Sequence, residues 1–110
     1  MTERKSRRIA ELNDGLRRTF AGGLVVRTPG VEALGPALVA RVQGEVRAFA
    51  AFTEDNDPHG EHDFGSLEVD GRRLFWKIDA YDRQARYGSP DPADPGVTLR
   101  VLTVMLAEEY

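Results

Sequence analysis

The densest group of side chains that could do chemistry lies in one short segment. Between Glu54 and Asp63 the chain places five carboxylates and both of its histidines. Carboxylate oxygens and imidazole nitrogens are common ligands of divalent metal ions. The side chains in question are those of Glu54, Asp55, Asp57, His59, Glu61, His62 and Asp63.

Part of this segment follows the spacing of a calcium-binding loop. Asp55, Asp57 and His59 fall at its first, third and fifth positions, and Gly60 follows at the sixth. The match fails at the twelfth position, where Ser66 stands in place of a bidentate glutamate. The alternative is a polar connection in which Asp and Asn side chains hold a tight turn. We favour the connection, with both histidines solvated, and predict no bound metal and no cofactor.

A second candidate is an acid/base pair of His62 and Asp79, with Lys77 beside them. A carboxylate that orients a histidine is the usual arrangement for general-base catalysis. The simpler interpretation is a charge pair across two strands on a solvated sheet face. A nucleophile is missing, because the chain has no cysteine and Ser66 and Ser89 lack the context of a nucleophile elbow. We therefore predict that the protein has no catalytic residues and is not an enzyme, and keep a metal-dependent hydrolase or nuclease as the alternative.

These side chains would be positioned by a β-hairpin. Asp70-Gly71 separates two strand-like runs, Phe64 to Val69 and Arg72 to Asp82, and Asp-Gly is a preferred two-residue hairpin turn. Counting from this turn places Val69 opposite Arg72 and Phe64 opposite Lys77. Continuing the count would place Asp63 opposite Ile78 and His62 opposite Asp79. The face predicted to form the core contains Leu67, Val69, Leu74, Trp76, Ile78 and Ala80.

The other face of the hairpin is the predicted working surface. It contains Glu68, Arg73, Phe75, Lys77, Asp79 and Tyr81, with His62 at its edge and the loop from Glu54 beside it. Aromatic side chains surrounded by charges of both signs are typical of protein interfaces. The alternative is that the last strand, or the loop over residues 83–96, folds back over Phe75.

The remaining pattern predicts an α+β fold. Apolar residues from Ile9 to Phe20 recur at helical spacing, Leu24 to Thr28 reads as a strand, and a second helix follows Gly35-Pro36 as far as about Phe52. Residues 97–106 read as a final strand, although Asp94-Pro95 could also begin a helix. We expect two helices packed on one face of a mostly antiparallel sheet of about four strands, in the order α-β-α-β-β-β, with residues 1–7 frayed.

Length and composition limit the class of protein. A chain of 110 residues with 41% apolar and 30% charged residues is typical of one globular domain. No apolar run is long enough to span a bilayer, and the charged N-terminus does not resemble a signal peptide. The absence of cysteine fits a reducing compartment, so we expect a cytoplasmic protein. The net charge of -3 argues against nucleic-acid binding. The alternative is a platform that stacks on bases, formed by Phe75, Tyr81 and Tyr87 with Arg73, Arg83 and Arg86.

Four segments resemble one family. They are Arg8 to Asp14, Phe52 to Gly65, Phe75 to Asp79 and Val101 to Ala107. Together they look like an uncharacterised bacterial family, domain of unknown function 3768. The resemblance implies a small accessory protein, often encoded on plasmids and other mobile elements, and assigns no catalytic or binding residue. We therefore expect a binding module whose partner is another protein or a second copy of the chain.

Overall fold

The structure is a computed structural model that describes residues 2–110; Met1, part of the segment expected to fray, lies outside the described residues. The fold is α+β, as predicted, with four strands and three α-helices where two helices were expected. Single 3-10 turns lie at Pro95–Val97 and Ala107–Glu109. The elements are α1 (Thr2–Thr19), β1 (Leu24–Arg27), α2 (Pro29–Glu32), α3 (Pro36–Ala48), β2 (Phe64–Val69), β3 (Arg72–Tyr81) and β4 (Leu99–Leu106).

The four strands form one mixed sheet in the order β1-β4-β3-β2. Strand β3 is antiparallel to both of its neighbours, β2 and β4, and β1 runs parallel to β4. The strand that comes last in the chain therefore lies inside the sheet, between β1 and β3. The sequence predicts a mostly antiparallel sheet but does not give this order.

The hairpin is confirmed in turn, register and face. Asp70 and Gly71 both have positive φ, 54° and 76°, as a type I′ turn requires. Val69 pairs with Arg72 and the register continues to Phe64 opposite Lys77. On the predicted core face, Trp76 is 0% exposed, so the alternation along β3 follows the sequence pattern.

The core lies between the sheet and the helices on one side of it. Leu16 of α1, Val31 of α2 and the valines of α3 pack against the inner face of the sheet. The inner-face residues of this cluster are Val69, Leu74, Trp76, Ile78, Leu102, Val104 and Leu106. Both predicted helices therefore cover the same face.

Three element boundaries differ from the prediction. Pro29-Gly30, expected as a turn, begins the short helix α2, because the hydroxyl of Thr28 accepts a hydrogen bond from the backbone N–H of Val31 and caps it. Helix α3 ends at Ala48, and Phe49 already has the extended ψ of 132°. Asp94 and Pro95 start only a 3-10 turn, capped by Asp94, before the predicted final strand.

On the opposite side of the sheet, none of the α-helices within residues 2–110 packs. We call it the open face, and it consists of Leu24, Val26, Phe64, Ser66, Glu68, Arg73, Phe75, Lys77, Asp79, Tyr81, Leu99, Val101, Thr103 and Met105. The C-terminal turn folds onto it. Tyr110 packs against Phe64 and Phe75, with ring centroids 5.9 and 5.4 Å apart. The alternative, in which the last strand or the loop over residues 83–96 folds back over Phe75, is wrong for the strand, because β4 lies beside β3 in the sheet and pairs Met105 with Phe75.

Candidate functional site

The structure divides the predicted site residues between two places. Those of the hairpin lie on the open face. The histidines lie on the helical side, next to α1. The prediction that His62 faces Asp79 at the edge of the open face is wrong. His62 has a φ of 55°, which turns the chain toward α1 before β2 begins at Phe64.

His62 is held between two carboxylates, an arrangement that we call the His62 clamp (His62, Asp14 and Asp57). Its Nδ1 lies 3.0 and 3.1 Å from the two carboxylate oxygens of Asp14. Its Nε2 lies 3.7 Å from Oδ2 of Asp57. The carboxylate of Asp14 can only accept, so Nδ1 carries the proton. The imidazole also stacks on the ring of Phe52, with centroids 3.9 Å apart and planes 3° from parallel. The expectation of a freely solvated His62 is therefore wrong.

A buried arginine holds Asp14 from the other side. Nη2 of Arg17 donates to Oδ1 of Asp14 at 2.9 Å. Nη1 donates to the backbone carbonyls of Val46 and Arg47, each at 3.1 Å, at the C-terminus of α3 where a positive charge is favourable. Arg17 is 0% exposed. The sequence places it in a basic cluster, and only tertiary contacts reveal that it joins α1, α3 and the clamp.

The neighbouring residue of α1 fixes the loop backbone. Nδ2 of Asn13 donates to the carbonyl of Glu61 at 2.9 Å, and its Oδ1 accepts from Nε of Arg100 at 2.7 Å. Oδ1 of Asp57 accepts from the backbone N–H groups of Glu61 and His62, both at 3.2 Å. Asp57 is thus a buried loop-forming carboxylate, as the turn interpretation expects. Two of the segments that resemble the family meet at this point.

An open cleft of about 500 Å³ lies beside the clamp. The first turns of α1 supply one wall, including Ser6 and Arg7, and the loop with His59 and His62 supplies the other. Glu54 and Asp55 lie away from this cleft on an exposed turn. Among residues 2–110, no three His, Asp or Glu side chains are grouped in a way that could hold a metal ion.

The carboxylates next to the clamp are electrostatically crowded. Burial raises the pKa of Glu61, and the negative charges of Asp63 and Asp57 raise it further. Burial also raises the pKa of Asp63 above its usual value. The loop therefore keeps negative charge at neutral pH at a cost to the folded state.

The open face carries a central ion pair among apolar residues. Nζ of Lys77 lies 2.9 Å from Oδ2 of Asp79, and this contact raises the pKa of Lys77. Phe75 and Tyr81 lie to either side along β3, both half-buried. Glu68 and Arg73 are exposed toward the hairpin turn.

Sequence reasoning missed the most exposed apolar part of this face. Leu24 and Val26 are 53% and 43% exposed, and Tyr110 is 74% exposed. The signal is present in Leu24-Val25-Val26, where alternate residues of a strand must point to opposite faces. Which of them point outward depends on the parallel pairing of β1 with β4, which a single sequence does not reveal.

The fold and these two sites describe a small α+β domain with an open sheet face and a polar clamp. The chain belongs to the family described as "Protein of unknown function (DUF3768)", whose model matches residues 27–109. Neither a search of curated proteins nor a search of solved structures found a match. Within residues 2–110, the helices are too short or too polar to cross a membrane.

Proposed function

We propose that this protein is a small accessory binding module that acts by protein–protein contact through its open face. The observation that carries the proposal is the exposure of Leu24 and Val26 on the sheet face opposite all the helices that the structure describes. Contiguous exposed apolar surface on a small protein usually marks an interaction site. The aromatic residues and balanced charges of β3 extend the patch in the manner of an interface centre and rim.

The cellular setting belongs to the same proposal. A cysteine-free chain fits the reducing cytoplasm. The resemblance to an uncharacterised bacterial family supports an accessory role on mobile elements. Neither a nucleic acid nor a membrane is the proposed partner, since the net charge of -3 does not favour polyanionic surfaces.

The test is capture of bound protein by tagged wild-type and variant chains. Leu24→Glu and Val26→Glu place a charge in the patch, so both should abolish capture and leave the thermal midpoint nearly unchanged, because exposed substitutions usually change stability by less than about 0.5 kcal/mol. Tyr87→Glu is the control, since Tyr87 is 74% exposed in the loop after β3. Equal capture by all variants would place the binding surface elsewhere.

A hydrolase centred on the His62 clamp is a second candidate. The observation in its favour is that Asp14 fixes the proton on Nδ1 of a histidine that lines a cleft. This is how a general base is oriented. Assays of ester and phosphodiester hydrolysis, with and without Mn²⁺, should then show activity in wild type and none in His62→Ala. Inactivity of both proteins would remove this candidate.

A further inference from the structure

The partner of the open face can be inferred from the way its residues are arranged about one line. Three strands of the sheet are in register at Val25, Leu102 and Ile78, which are Cα partners across β1, β4 and β3. These three side chains point toward the helices. The line through them crosses the open face between Leu24 and Val26 on β1 and between Lys77 and Asp79 on β3.

A two-fold axis along this line would bring two open faces together. Such an axis lies between the two sheets and perpendicular to the strands, so it reverses strand direction and places each strand over its own copy. In a two-fold interface, residue i meets residue j and j meets i. Lys77 would therefore meet Asp79 of the second copy, and Asp79 would meet Lys77.

The same axis matches the flanking residues. On β3, the positions one step further out are Phe75 and Tyr81, and Tyr110 of the same chain packs against Phe75. The rings of Phe75 and Tyr110 would therefore meet Tyr81 of the second copy on both sides of the ion pairs. On β1, Leu24 meets Val26 of the second copy, which covers the most exposed apolar side chains of the sheet. One operation thus pairs unlike charges with each other and apolar residues with apolar residues.

The charge and size of the face also fit a second copy. The charged side chains of its strands at neutral pH are Glu68, Arg73, Lys77 and Asp79, two of each sign, so these side chains carry no net charge into the contact. The axis superposes β1, β3 and β4 of the two copies, and these strands, spaced about 4.8 Å apart, cover about 300 Å². Because the accessible surface of side chains exceeds this planar area, two faces would bury about 600–1,000 Å², which is the size of a weak, reversible interface.

We propose that the open face is the interface of a symmetric homodimer in which two sheets pack face to face, with Lys77 of each copy paired to Asp79 of the other. Sheets packed in this way lie about 10 Å apart with their strands about 30° from aligned, so the pairing holds best near the axis. This inference rests on the proposed binding function of the same face and names its partner.

The test exchanges the charges of the central pair. Lys77→Asp surrounds the axis with four carboxylates, and Asp79→Lys surrounds it with four ammonium groups. Because like charges across an interface cost several kcal/mol, each variant should dissociate with a roughly 100-fold larger Kd than wild type. An equimolar mixture of the two variants should recover the dimer, since one chain supplies two carboxylates and the other two ammonium groups.

Sedimentation equilibrium gives the measurement, with wild type expected at twice the 12.2 kDa mass of the chain. Arg41→Glu and Glu45→Arg are the controls, because they reverse an exposed ion pair on α3 and should leave the dimer intact. Circular dichroism of each variant establishes that it is folded.

The alternatives give different results. Failure of the mixture to associate, or dimers in both single variants, would overturn the face-to-face arrangement in favour of another contact, such as pairing through the edge of β2. A monomeric wild type that still captures another protein through Leu24 and Val26 would overturn the homodimer and leave the proposed binding function standing.

Discussion

Trp76 is the residue on which the core depends most. It is 0% exposed, and Phe49 and Phe52 pack edge-on against it at centroid distances of 5.4 and 6.0 Å. Trp76→Ala should lower the free energy of unfolding by about 3–5 kcal/mol, as for other buried aromatic residues. Urea denaturation followed by circular dichroism measures the free energy of unfolding, with Tyr87→Ala as the exposed control. A loss of less than 1 kcal/mol would contradict the central position of this ring.

Gly65 is required by the same tryptophan. A Cβ at this position would lie 2.6 Å from Cε2 of Trp76 and 2.9 Å from Cζ of Phe49. The close approach explains a glycine inside a strand, where it otherwise weakens packing. It also shows what the sequence does not reveal. Alternation along the strand predicts that Trp76 is buried, but the contact between its indole edge and the Gly65 backbone depends on cross-strand geometry.

Glu61 should destabilise the folded protein at neutral pH. Burial raises its pKa above the ordinary value of 4.5, so the folded state holds the proton more tightly than the unfolded state. Ionised Glu61 therefore lowers stability above its folded pKa, and Glu61→Gln should raise the thermal midpoint at neutral pH. The difference should vanish as the pH falls below 4.5, where the group is protonated in both states.

Calorimetry of both proteins across this pH range gives the comparison. Glu54→Gln, on the exposed part of the same loop, is the control and should show no comparable gain. If Glu61→Gln were less stable than wild type at neutral pH, the ionised carboxylate of Glu61 would not destabilise the folded protein.

At the scale of elements, Glu109 connects the C-terminal turn to α2. Its Oε1 accepts from the hydroxyl of Thr28 at 2.6 Å and from the backbone N–H of Leu106 at 2.8 Å. Its Oε2 accepts from the backbone N–H of Gly30 at 3.0 Å. The bond from Thr28, followed by the backbone bonds, lowers the pKa of Glu109. This carboxylate orders the turn that carries Tyr110 onto the open face.

The pH dependence of Glu109 has the opposite sign to that of Glu61. Its ionised form is favoured in the folded state, so its stabilisation is complete above the ordinary value of 4.5 and is lost as the pH falls through the lower folded pKa. Glu109→Gln should therefore unfold at a lower temperature than wild type at neutral pH, and the two midpoints should converge in acid. If the thermal midpoints of the two proteins differed by the same amount at every pH, the charge of Glu109 would contribute nothing to stability.

Local signals predicted the elements well where turn chemistry fixes the backbone. Asp70-Gly71 was sufficient to give the hairpin register, because the turn fixes which residues face each other. The same counting failed at His62, one residue beyond Asp63, whose carbonyl still accepts from the N–H of Ile78 at 2.8 Å. The left-handed backbone of His62 is stabilised by Asp14 and Phe52, which are distant in sequence, so strand periodicity could not reveal it.

At the scale of the whole molecule, α1 is part of the core although the family model matches only residues 27–109. Leu16 is buried in the cluster, and Arg17 joins α1 to α3. A chain of residues 24–110 should therefore fail to fold, because it exposes the inner sheet face and leaves the clamp without Asp14. The amide proton NMR spectrum of this shorter chain should lack the chemical-shift dispersion of a folded protein.

The matched control removes residues 1–7. The side chains of Glu3, Arg4, Lys5 and Arg7 are exposed, so this shorter deletion should leave the spectrum dispersed. A folded 24–110 chain would show that α1 is an accessory to the domain and not a component of it.

The sheet order was not predictable, for a physical reason. Hydrophobic alternation indicates which side chains of a strand face the core. It does not indicate which other strand lies beside it, because that depends on which strand edges are free once the helices are packed. The parallel pairing of Leu24 with Val101 joins residues from opposite ends of the chain. The exposed position of Leu24 and Val26, on which the proposed interface depends, follows from this pairing.

The position of β4 inside the sheet has a kinetic consequence. The β2–β3 hairpin can form early, since its strands are joined by two residues, whereas β1 pairs in the sheet with β4, which comes last in the chain. Contacts between distant parts of a chain close large loops and slow folding. The hairpin is therefore the expected nucleus, and the β1–β4 pairing the expected last step.

Folding and unfolding rates of two variants separate these stages. Gly71→Ala strains a position with a φ of 76° in the hairpin turn and should mainly slow folding. Val25→Ala removes apolar contact where β1 meets the core and should mainly accelerate unfolding. Until β4 arrives, Val25 and the inner face of β3 stay in contact with water, so the slow step of folding is also the interval in which this chain is most exposed to aggregation.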